Sequence, residues 1–481
     1  MRLDEYSSFD AVGLAAAIRS GEVGDEEVLD AALDALDAVH PLLNVVAHDL
    51  RDTARDELRY RNPDAPFSGV PFLVKDLSLE MAGAPNEAGS RLMVGNVSKR
   101  DHNLMSRFRT SGFLTVARTT TAEFGAQLNC ESALTGVTRN PWSLDHTPGG
   151  SSGGSAASVA AGVVAVAHAN DGIGSIRVPA SNCGLFGLKL TRQRTPSGPD
   201  AGETQGGRGS EFVVSRTVRD SAAILDSVHG PDVGAPNWAP PPRRPYVDEL
   251  SNPVKKLRIA VMTHTYSGAE VHPDCVAAVR ATAALCADLG HVVDEAAPVF
   301  DWDAYRRAIR IEAFSNFSAG MRYFAGVTGR DLSSSLEPLN VLAVQEGASR
   351  TLDEYLWSIA AYGTTQRAIG AFFEDWDVLL TPVLSRPTAR IGGLGVDPTD
   401  LEQYWDEFSG DAYSPFTGVF NITGHPAASL PLYINDEGLP IGSQLVGRFG
   451  DESTLLNLSA QLERAQPWIG LRPPVHVATL G

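Results

Sequence analysis

The chain has 481 residues, of which 43% are hydrophobic and 20% are charged. This composition is typical of a globular protein with enough apolar material for a large core. The formal net charge of −19 argues against nucleic acid or an anionic membrane surface as the main partner.

The cysteines and the first residues bear on the cellular compartment. Cys130, Cys183, Cys275 and Cys286 form no C-x-x-C pair and have no metal-like spacing, which favours a reduced protein over a disulfide framework. The N-terminus lacks the basic start and apolar run of a secretory signal. The longest apolar stretch, residues 160–169, is too short and too rich in alanine to span a bilayer. The sequence therefore predicts a cytoplasmic protein with no membrane partner.

The first part of the chain predicts helices followed by strands. Helical spacing of Ala, Leu and Val over residues 9–61 indicates two or three amphipathic helices, with turns at residues 21–24 and at Pro41. Short apolar runs at residues 69–76 and 113–118 then predict buried strands.

The rest of the chain alternates between strands and helices. Residues 229–252 are rich in proline and polar residues and are the best candidate for an internal linker. The further predicted elements are strands at 257–262, 292–296, 378–382, 428–432 and 441–446, helices at 271–289 and 452–466, and a largely helical region over 302–373. This alternation indicates one large α/β unit with a mixed sheet.

Two turns rich in glycine and serine, at residues 147–155 and 170–175, flank a segment of small residues typical of a helix and a strand. Glycine permits backbone conformations closed to other residues and lets a substrate approach the main chain. The second turn offers consecutive backbone N–H groups, which could bind the oxyanion that develops in acyl transfer. These are the N–H groups of Gly172, Ile173, Gly174 and Ser175.

Both turns also present serines, and a serine hydroxyl becomes a nucleophile only with a base beside it. No histidine is an obvious partner. Lys75 is one of five lysines and lies at the end of the apolar strand predicted at residues 69–76. Burial there favours the neutral amine that a general base requires, whereas an arginine would stay protonated. Lys75 is therefore the candidate base.

These residues form a pattern that resembles the amidase signature family. The pattern comprises residues 149–155, residues 171–180 (Asp-Gly-Ile-Gly-Ser-Ile-Arg-Val-Pro-Ala) and residues 183–189 (Cys-Gly-Leu-Phe-Gly-Leu-Lys). Residues 69–76 resemble the family's catalytic-lysine strand, and residues 420–427 and 439–446 resemble its C-terminal motifs. The likeness extends over nearly the whole chain.

The resemblance implies a role for three residues. Ser175 would be the nucleophile, Lys75 the base, and Ser151 the bridging serine, which follows a cis peptide bond in this family. The N–H groups of residues 172–175 would hold the oxyanion, and water would hydrolyse the acyl-enzyme through the same relay. We expect no cofactor and no metal in this reaction.

One position departs from the family pattern. The family usually has two glycines immediately before the nucleophile, and Ile173 replaces the first of them. A backbone N–H survives this change, so we expect an intact oxyanion hole. The β-branched side chain would act instead by narrowing the acyl pocket or restricting the turn.

Within the family, the residues around the signature are similar to those of hydrolases of the nylon-oligomer (aminohexanoate cyclic dimer) group, at residues 182–189, 195–200 and 214–221. The glutamine-dependent tRNA amidotransferase subunit normally carries Ser-Arg-Tyr-Gly after the signature, where this chain has Gly-Pro-Asp-Ala-Gly-Glu-Thr at residues 198–204. This difference disfavours an amidotransferase role. A glutaminase-type subunit and a catalytically impaired scaffold of the same fold are the alternatives.

A different enzyme class also uses part of this pattern. The G-x-S-x-G at residues 149–153 matches the nucleophile elbow of α/β-hydrolases, which would pair Ser151 with His425 or His476. That elbow needs an apolar strand directly before it, and residues 140–148 are not one. We therefore disfavour it.

Other residues near the signature are expected to be structural. Lys189 is a rival base but belongs to a predicted core strand, Asp171 and Arg177 are expected to pair and brace the turn, and Cys183 is expected to pack as a small residue. The histidines have no ligand spacing, and no complete G-x-G-x-x-G or P-loop follows a strand, so we predict no metal and no nucleotide.

A set of aromatic residues in the later part of the chain is expected to belong mainly to the core, with one or two members touching the substrate. These are Trp302, Tyr305, Phe314, Phe317, Tyr323, Tyr404, Trp405 and Phe408.

With the resemblance included, the prediction is an α/β fold with a mixed central β-sheet flanked by helices on both sides, in a single domain over residues 1–481. Its predicted parts are N-terminal helices (1–61), a signature core (62–228), a linker (229–256), a helical substrate-side region (257–375) and a C-terminal return to the sheet (376–481). The predicted activity is hydrolysis of the C–N bond of a small or medium organic amide. The oligomeric state stays open, and a homodimer is one arrangement that the sequence allows.

Overall fold

A mixed β-sheet of 11 strands forms the centre of the molecule. The computed structural model describes residues 1–203, 205–252, 255–395 and 397–480. The strands in chain order are β1 (Val46–Asp49), β2 (Pro71–Lys75), β3 (Leu114–Thr119), β4 (Glu131–Ser132), β5 (Gly136–Val137), β6 (Val166–Asp171), β7 (Phe186–Lys189), β8 (Ser210–Ser215), β9 (Arg258–Val261), β10 (Val292–Glu295), β11 (Val378–Pro382), β12 (Ala427–Ile434) and β13 (Pro440–Gly447). The central sheet has the order β1-β3-β2-β6-β8-β7-β12-β13-β11-β9-β10, while β4 and β5 form a small separate pair.

Helices flank this sheet. They are α1 (Leu3–Tyr6), α2 (Ala11–Ser20), α3 (Asp25–Leu43), α4 (Arg51–Arg59), α5 (Asn103–Thr110), α6 (Gly153–Ala160), α7 (Arg177–Cys183), α8 (Val218–Val228), α9 (Tyr246–Glu249), α10 (Pro273–Asp288), α11 (Trp302–Thr328), α12 (Leu332–Ser335), α13 (Pro338–Ser349), α14 (Leu352–Asp375), α15 (Leu401–Ser409), α16 (Gly418–Thr423), α17 (Glu452–Ala465) and α18 (Val477–Leu480). Short 3₁₀ segments occur at Arg91–Met93, Glu123–Gly125 and Gln205–Gly207. The predicted α/β fold with a mixed central sheet flanked by helices is confirmed.

The order of the strands brings separate parts of the sequence to one edge of the sheet. β2 lies between β3 and β6 and is parallel to both. β6 then pairs antiparallel with β8, with His168 opposite Val213 and Asp171 opposite Ser210. Because parallel strands end at the same edge of a sheet, Lys75 at the end of β2 and Asp171 at the end of β6 come to the same region.

The later half of the chain supplies the other side of the sheet. β9, α10 and β10 form the predicted β-α-β unit, with Val292 of β10 parallel to Arg258 of β9. β11 lies beside β9 and is antiparallel to β13. β12 then joins this half to β7, which lies in the signature region.

Two apolar clusters make up most of the described core. The larger cluster includes α2, α3, β2, β3 and β6, and α3 contributes residues at helical spacing such as Val28, Ala32 and Leu36. The second cluster joins buried residues of α11, α14 and α16. Ile173 also belongs to the second cluster, so the turn after β6 lies where this cluster meets the central strands.

The N-terminal region differs in two local features from the sequence prediction. α3 continues through Pro41 and ends at Leu43, so the predicted turn at Pro41 is wrong. A proline removes one helical hydrogen bond, and this matters little so close to the helix end at Asn44, where the backbone turns left-handed. Residues 46–49 form β1 rather than helix, because this segment pairs with the edge of β3.

The predicted linker over residues 229–256 is mostly irregular and contains the short helix α9. The side chain of Asp226 accepts hydrogen bonds from the backbone N–H groups of Tyr246 and Val247, which fixes the start of α9 against α8. Residues 253 and 254 of the predicted linker lie outside the described residues. The division of the chain into parts stays a prediction.

Candidate active site

Lys75 is the last residue of β2, and its side chain is fully buried. All five residues of β2 are buried because the strand lies inside the sheet, between β3 and β6. The Lys75 Nζ atom lies 2.7 Å from the Ser151 Oγ, 3.0 Å from the Ser152 Oγ and 2.6 Å from the Asn170 Oδ1.

These three partners fit a neutral amine at Lys75. The Asn170 Oδ1 can only accept, and the Ser152 hydroxyl already donates to the Asn170 carbonyl at 3.2 Å, so both oxygens accept from Lys75. The lone pair of the neutral amine then faces the Ser151 hydroxyl. Burial lowers the pKa of Lys75 to about 8, so a large fraction of the amine is neutral at mildly alkaline pH.

The loop before α6 holds Ser151 in a fixed position. The Gly150–Ser151 peptide bond is cis, as the family resemblance implies. A Cβ at Gly150 would lie 2.3 Å from the carbonyl oxygen of Asn129, so this position accepts glycine alone. The Cys130 thiol donates to the Ser151 carbonyl at 3.2 Å and accepts from the Gly153 N–H at 3.2 Å.

Ser175 lies in the turn between β6 and α7 and is mostly buried. Its neighbour Gly174 has a φ of 141°, a conformation that favours glycine. A Cβ at Gly174 would also lie 2.6 Å from the Thr417 Oγ1. No hydrogen bond joins Ser175 to Ser151 among the described residues, but both side chains face one cavity.

The backbone N–H groups of residues 172–175 have no acceptor among the described residues. The next two N–H groups, of Ile176 and Arg177, bond instead to the Asp171 carboxylate at 3.2 and 3.4 Å. Unpaired N–H groups beside a reactive serine can bind a developing negative charge. The turn therefore has the features of an oxyanion hole.

Asp171 and Arg177 brace this turn as a fully buried ion pair. The Arg177 Nε and Nη2 atoms each lie 2.9 Å from an oxygen of Asp171. Burial alone would raise the pKa of Asp171, but Arg177 lowers it to about 2. Arg177 also donates to the Thr417 carbonyl at 2.9 Å and to the Gln444 Oε1 at 2.8 Å, so C-terminal residues complete the brace.

Ile173 fits into the structure with its side chain buried in the second apolar cluster. Room for it comes from Gly418, where a Cβ would lie 2.8 Å from the Ile173 Cγ2. The Thr417 hydroxyl donates to the Ile173 carbonyl, which fixes the peptide plane that follows. Ile173 is also among the residues that line the cavity, as is Ser175.

A cavity of about 340 Å³ is lined by both serines and by several aromatic residues. Five of the eight aromatic residues singled out in the sequence line it, and which of them touch the substrate stays a prediction. These five are Phe314, Phe317, Tyr404, Trp405 and Phe408. Of the other three, Trp302 and Tyr305 belong to the core and Tyr323 is exposed.

The polar lining of the cavity is almost entirely uncharged. It includes the side chains of Asn170, Gln205, Asn316 and Asn340, and its charged member is Arg208. No carboxylate is among the lining residues that the structure describes. The cavity is therefore suited to an uncharged ligand.

Comparison with known proteins identifies the family. A model of the Amidase family matches residues 27–456. The chain belongs to the amidase signature family. It is therefore a hydrolase of the kind that acts on carbon–nitrogen bonds other than peptide bonds.

This amidase is 36% identical over 492 aligned residues to the 6-aminohexanoate-cyclic-dimer hydrolase of Paenarthrobacter ureafaciens, with 96% of each chain covered. It is also 36% identical to the enzyme of that name from Pseudomonas sp. strain NK87, again with 96% of each chain covered. A solved structure of 6-aminohexanoate cyclic dimer hydrolase complexed with substrate has a TM-score of 0.93, at 35% identity, and covers 98% of this chain and 99% of that one. The resemblance to this group is confirmed.

The rival catalytic residues of the amidase lie away from Ser151 and Ser175. The Lys189 Nζ donates to the Leu190 carbonyl at 2.7 Å and has no hydrogen bond to either serine. The side chain of His425 bonds to Thr423 at 2.9 Å.

His476 and Cys183 likewise form hydrogen bonds to groups other than the two serines. The His476 Nδ1 accepts from the backbone N–H of Ala478 at 3.1 Å. The buried Cys183 thiol donates to the Pro148 carbonyl at 3.4 Å, as expected for a packed residue. The α/β-hydrolase alternative therefore has no histidine beside Ser151.

Sequence reasoning missed several residues of the site. Asn170 and Ser152 lie within the quoted motifs, and only the contact with Lys75 gives them a role. Cys130 and Arg208 are separated from the motifs in sequence, and no local pattern marks them. Arg208 lies near the oxyanion turn, with its Nη1 3.5 Å from the Gly172 carbonyl.

No group of three or more histidine, cysteine, aspartate or glutamate side chains in the described ranges is arranged to hold a metal ion. None of the described helices combines the length and apolar character required to cross a membrane.

Proposed function

We propose that this amidase hydrolyses an uncharged small or medium organic amide through an acyl-enzyme on Ser175, with Lys75 as base and Ser151 as proton relay. One observation carries the proposal. The desolvated amine of Lys75 lies 2.7 Å from the Ser151 hydroxyl, and Ser151 lines one cavity with Ser175 and its turn, where the N–H groups have no acceptor among the described residues. A serine nucleophile needs a base of this kind, and lysine supplies one only when it is neutral.

The reaction follows from these parts. Neutral Lys75 takes the proton of Ser151 as Ser151 takes the proton of Ser175, and the Ser175 Oγ attacks the amide carbonyl. The carbonyl oxygen gains negative charge and is held by N–H groups of residues 172–175. The C–N bond breaks as the nitrogen receives a proton back through Ser151, and the amine leaves. Water then donates a proton along the same relay, attacks the ester of Ser175, and releases the acid.

The cavity favours an uncharged substrate with apolar groups. Aromatic side chains form much of its wall, and no carboxylate faces it among the described residues. Its charged lining residue, Arg208, is already paired with the buried Glu312. An α-ammonium group, as in glutamine, would have no ionic partner there. Because the two curated relatives described above are named for a cyclic dimer of 6-aminohexanoate, uncharged cyclic amides are the first class to assay.

The test is the intact mass of the full-length protein after treatment with a fluorophosphonate. We expect one adduct on the wild type and none on Ser175→Ala, while Ser151→Ala should be labelled at least about 100-fold more slowly because it lacks the relay. Labelling of Ser175→Ala would show that another residue is the nucleophile. An unlabelled wild type would contradict the proposal and favour the scaffold alternative.

The substrate class is tested with a matched panel of amides. A neutral cyclic diamide, a neutral linear amide of similar size and glutamine are compared by kcat/KM. We expect activity on the neutral amides and little on glutamine. A preference for glutamine would support the glutaminase-type alternative and refute the uncharged-substrate assignment.

A further inference from the structure

A buried carboxylate lies behind Lys75, one hydrogen-bonded residue away from it. Glu211, on β8, is buried, and its Oε1 lies 2.7 Å from the Ser78 Oγ and 3.4 Å from the Asn170 Nδ2. Its Oε2 lies 2.9 Å from the Nε2 of His168, which is also buried. We call Ser78, His168, Asn170 and Glu211 the Glu211 cluster.

The Glu211 cluster fixes the orientation of the Asn170 side chain. An ionised carboxylate only accepts hydrogen bonds, so the Asn170 group that faces Glu211 must be the amide nitrogen. That nitrogen also lies 2.7 Å from the Ser78 Oγ. The Asn170 Oδ1 is therefore directed to Lys75, at the observed 2.6 Å. Without Glu211 and Ser78, the carboxamide could rotate and present donors to the amine.

His168 supports the negative charge of Glu211 without neutralising it. Burial lowers the pKa of His168 more than the bond to Glu211 raises it, so the imidazole is neutral and its Nε2 carries the proton that Glu211 accepts. Its Nδ1 has no partner among the described residues, which is consistent with one proton on the ring. Burial alone would raise the pKa of Glu211, but the bonds from His168 and Ser78 hold that pKa below its usual value. Glu211 therefore contributes a full negative charge.

Other charged groups near Lys75 are already balanced or lie outside the hydrogen-bonded chain. Asp171, at the end of β6, is neutralised by Arg177. Arg118, on β3, donates to the Lys75 carbonyl at 3.0 Å, and the Cys130 thiol is buried with a pKa raised by burial to about 11. His102, at the start of α5, interacts electrostatically with Glu211.

We propose that Glu211 is a positioning residue for Lys75: its carboxylate orients the Asn170 carboxamide and supplies the negative charge that sets the proton affinity of the amine. This inference rests on the proposed role of Lys75 as base. Burial pulls the amine towards the neutral form, and Glu211 acts in the opposite direction, so the balance between the two determines where on the pH scale the base becomes active. The charge acts through Asn170 and does not touch the substrate.

The sign of the effect is defined by the charge. Removing a nearby anion destabilises an ammonium ion, so the pKa of Lys75 falls when Glu211 loses its charge. The rate of any reaction that needs neutral Lys75 would then rise at a lower pH than in the wild type. At hydrogen-bonded separation through one residue, we expect a change of about one pH unit. A residue with a structural role alone would lower the rate at every pH and leave the midpoint in place.

Glu211→Gln is the decisive variant, because it removes the charge and keeps the shape. The Gln oxygen can accept from Ser78 and Asn170, and its amide nitrogen can donate to the His168 Nε2 once the imidazole proton moves to Nδ1. The readout is the rate of fluorophosphonate labelling of Ser175 in the full-length enzyme between pH 5.5 and 10. The wild type should have its midpoint near pH 8, as the pKa of Lys75 implies, and Glu211→Gln should have it about one pH unit lower.

Two further variants complete the test. His168→Gln keeps a neutral donor to Glu211, and its midpoint should stay within about 0.3 pH unit of the wild type. Asn170→Asp places a carboxylate directly on the Lys75 amine, and its midpoint should rise by at least about one pH unit. Circular dichroism and thermal melting establish that each variant is folded, and Asn170→Asp shows that the midpoint responds to a carboxylate near Lys75. If Glu211→Gln does not fold, Glu211→Ala, which also removes the charge, takes its place and should lower the midpoint in the same direction.

The outcomes separate this inference from the proposed function. An unmoved midpoint in Glu211→Gln, with the midpoint of Asn170→Asp raised and the wild type labelled at Ser175, would overturn the role of Glu211 and leave the triad intact. Unmoved midpoints in both variants would contradict Lys75 as the titrating base. A rise of the midpoint in His168→Gln would overturn the neutral assignment of His168. Absence of labelling on the wild type would instead refute the proposed function itself.

Discussion

Replacing Lys75 with methionine should change how stability depends on pH. The folded protein lowers the pKa of Lys75 from 10.5 to about 8, whereas the unfolded chain restores the ordinary value. Because the folded pKa is the lower one, folding favours the neutral amine. The contribution of Lys75 to stability is therefore complete above about pH 10.5 and is lost as the pH falls through 8.

The size of this effect follows from the two pKa values. A difference of one pH unit corresponds to 1.36 kcal/mol, so protonated Lys75 costs the folded state about 3 kcal/mol near pH 7 and about 1 kcal/mol at pH 10. Lys75→Met removes this cost. It also removes the bonds to Ser151, Ser152 and Asn170, at about 1 kcal/mol each, but that loss does not vary with pH in this range. The stability of the variant relative to the wild type should thus be about 2 kcal/mol more favourable at pH 7 than at pH 10.

The assay is guanidinium denaturation of both proteins at pH 7, 8, 9 and 10, with the difference taken at each pH. Lys99→Met is the matched control, because it makes the same change at an exposed lysine, and its difference from the wild type should stay constant. A constant difference for Lys75→Met as well would refute the reasoning, since it would mean that Lys75 is not destabilised as an ammonium ion in the folded protein.

Three further predictions concern activity and the turn at Ser175. The kcat/KM for an amide substrate should rise with pH through about 8 as Lys75 becomes neutral, and a flat profile between pH 6 and 9 with chemistry rate-limiting would contradict the lysine base. Gly174→Ala should lower kcat by about 100-fold and stability by about 1–3 kcal/mol, because its Cβ would lie 2.6 Å from the Thr417 Oγ1. The control is Gly363→Ala, on an open helix face, which should keep full activity. Arg177→Met should destabilise the protein by about 3–5 kcal/mol in chemical denaturation, because the buried Asp171 carboxylate loses its ion-pair partner. A loss below about 1 kcal/mol would show that the pair does not brace the turn.

The residues of the candidate site that lie in local motifs could be singled out from the sequence, and the family resemblance supplied their expected roles. Lys75 stands out because a lysine ends an otherwise apolar strand, and Ser151 and Ser175 stand out because glycines surround them. Local patterns also predicted the surrounding elements. Apolar periodicity indicated β2 and the β-α-β unit of the later half, and glycines marked the turn after β6.

The surroundings of these residues could not be predicted in the same way. Glu211 reaches Asn170 only because β8 returns antiparallel beside β6, and that pairing joins positions about 40 residues apart. A polar residue in a strand carries no sign of which partner it will meet. The room for Ile173 likewise depends on Gly418, which comes from a helix far along the chain. Such contacts are properties of the tertiary structure and have no local pattern.

The brace on Arg177 has a consequence for the order in which a growing chain acquires activity. Ribosomal synthesis delivers the lysine and both serines early, whereas the acceptors of Arg177 at Thr417 and Gln444 follow 240 and 267 positions later. Until those acceptors arrive, the guanidinium has the Asp171 carboxylate but lacks the partners that lock it between the two halves of the sheet. A nascent or truncated polypeptide that stops before the last strands would hold the reactive serine in an unsupported turn. We therefore expect hydrolytic competence to require completion of the sheet.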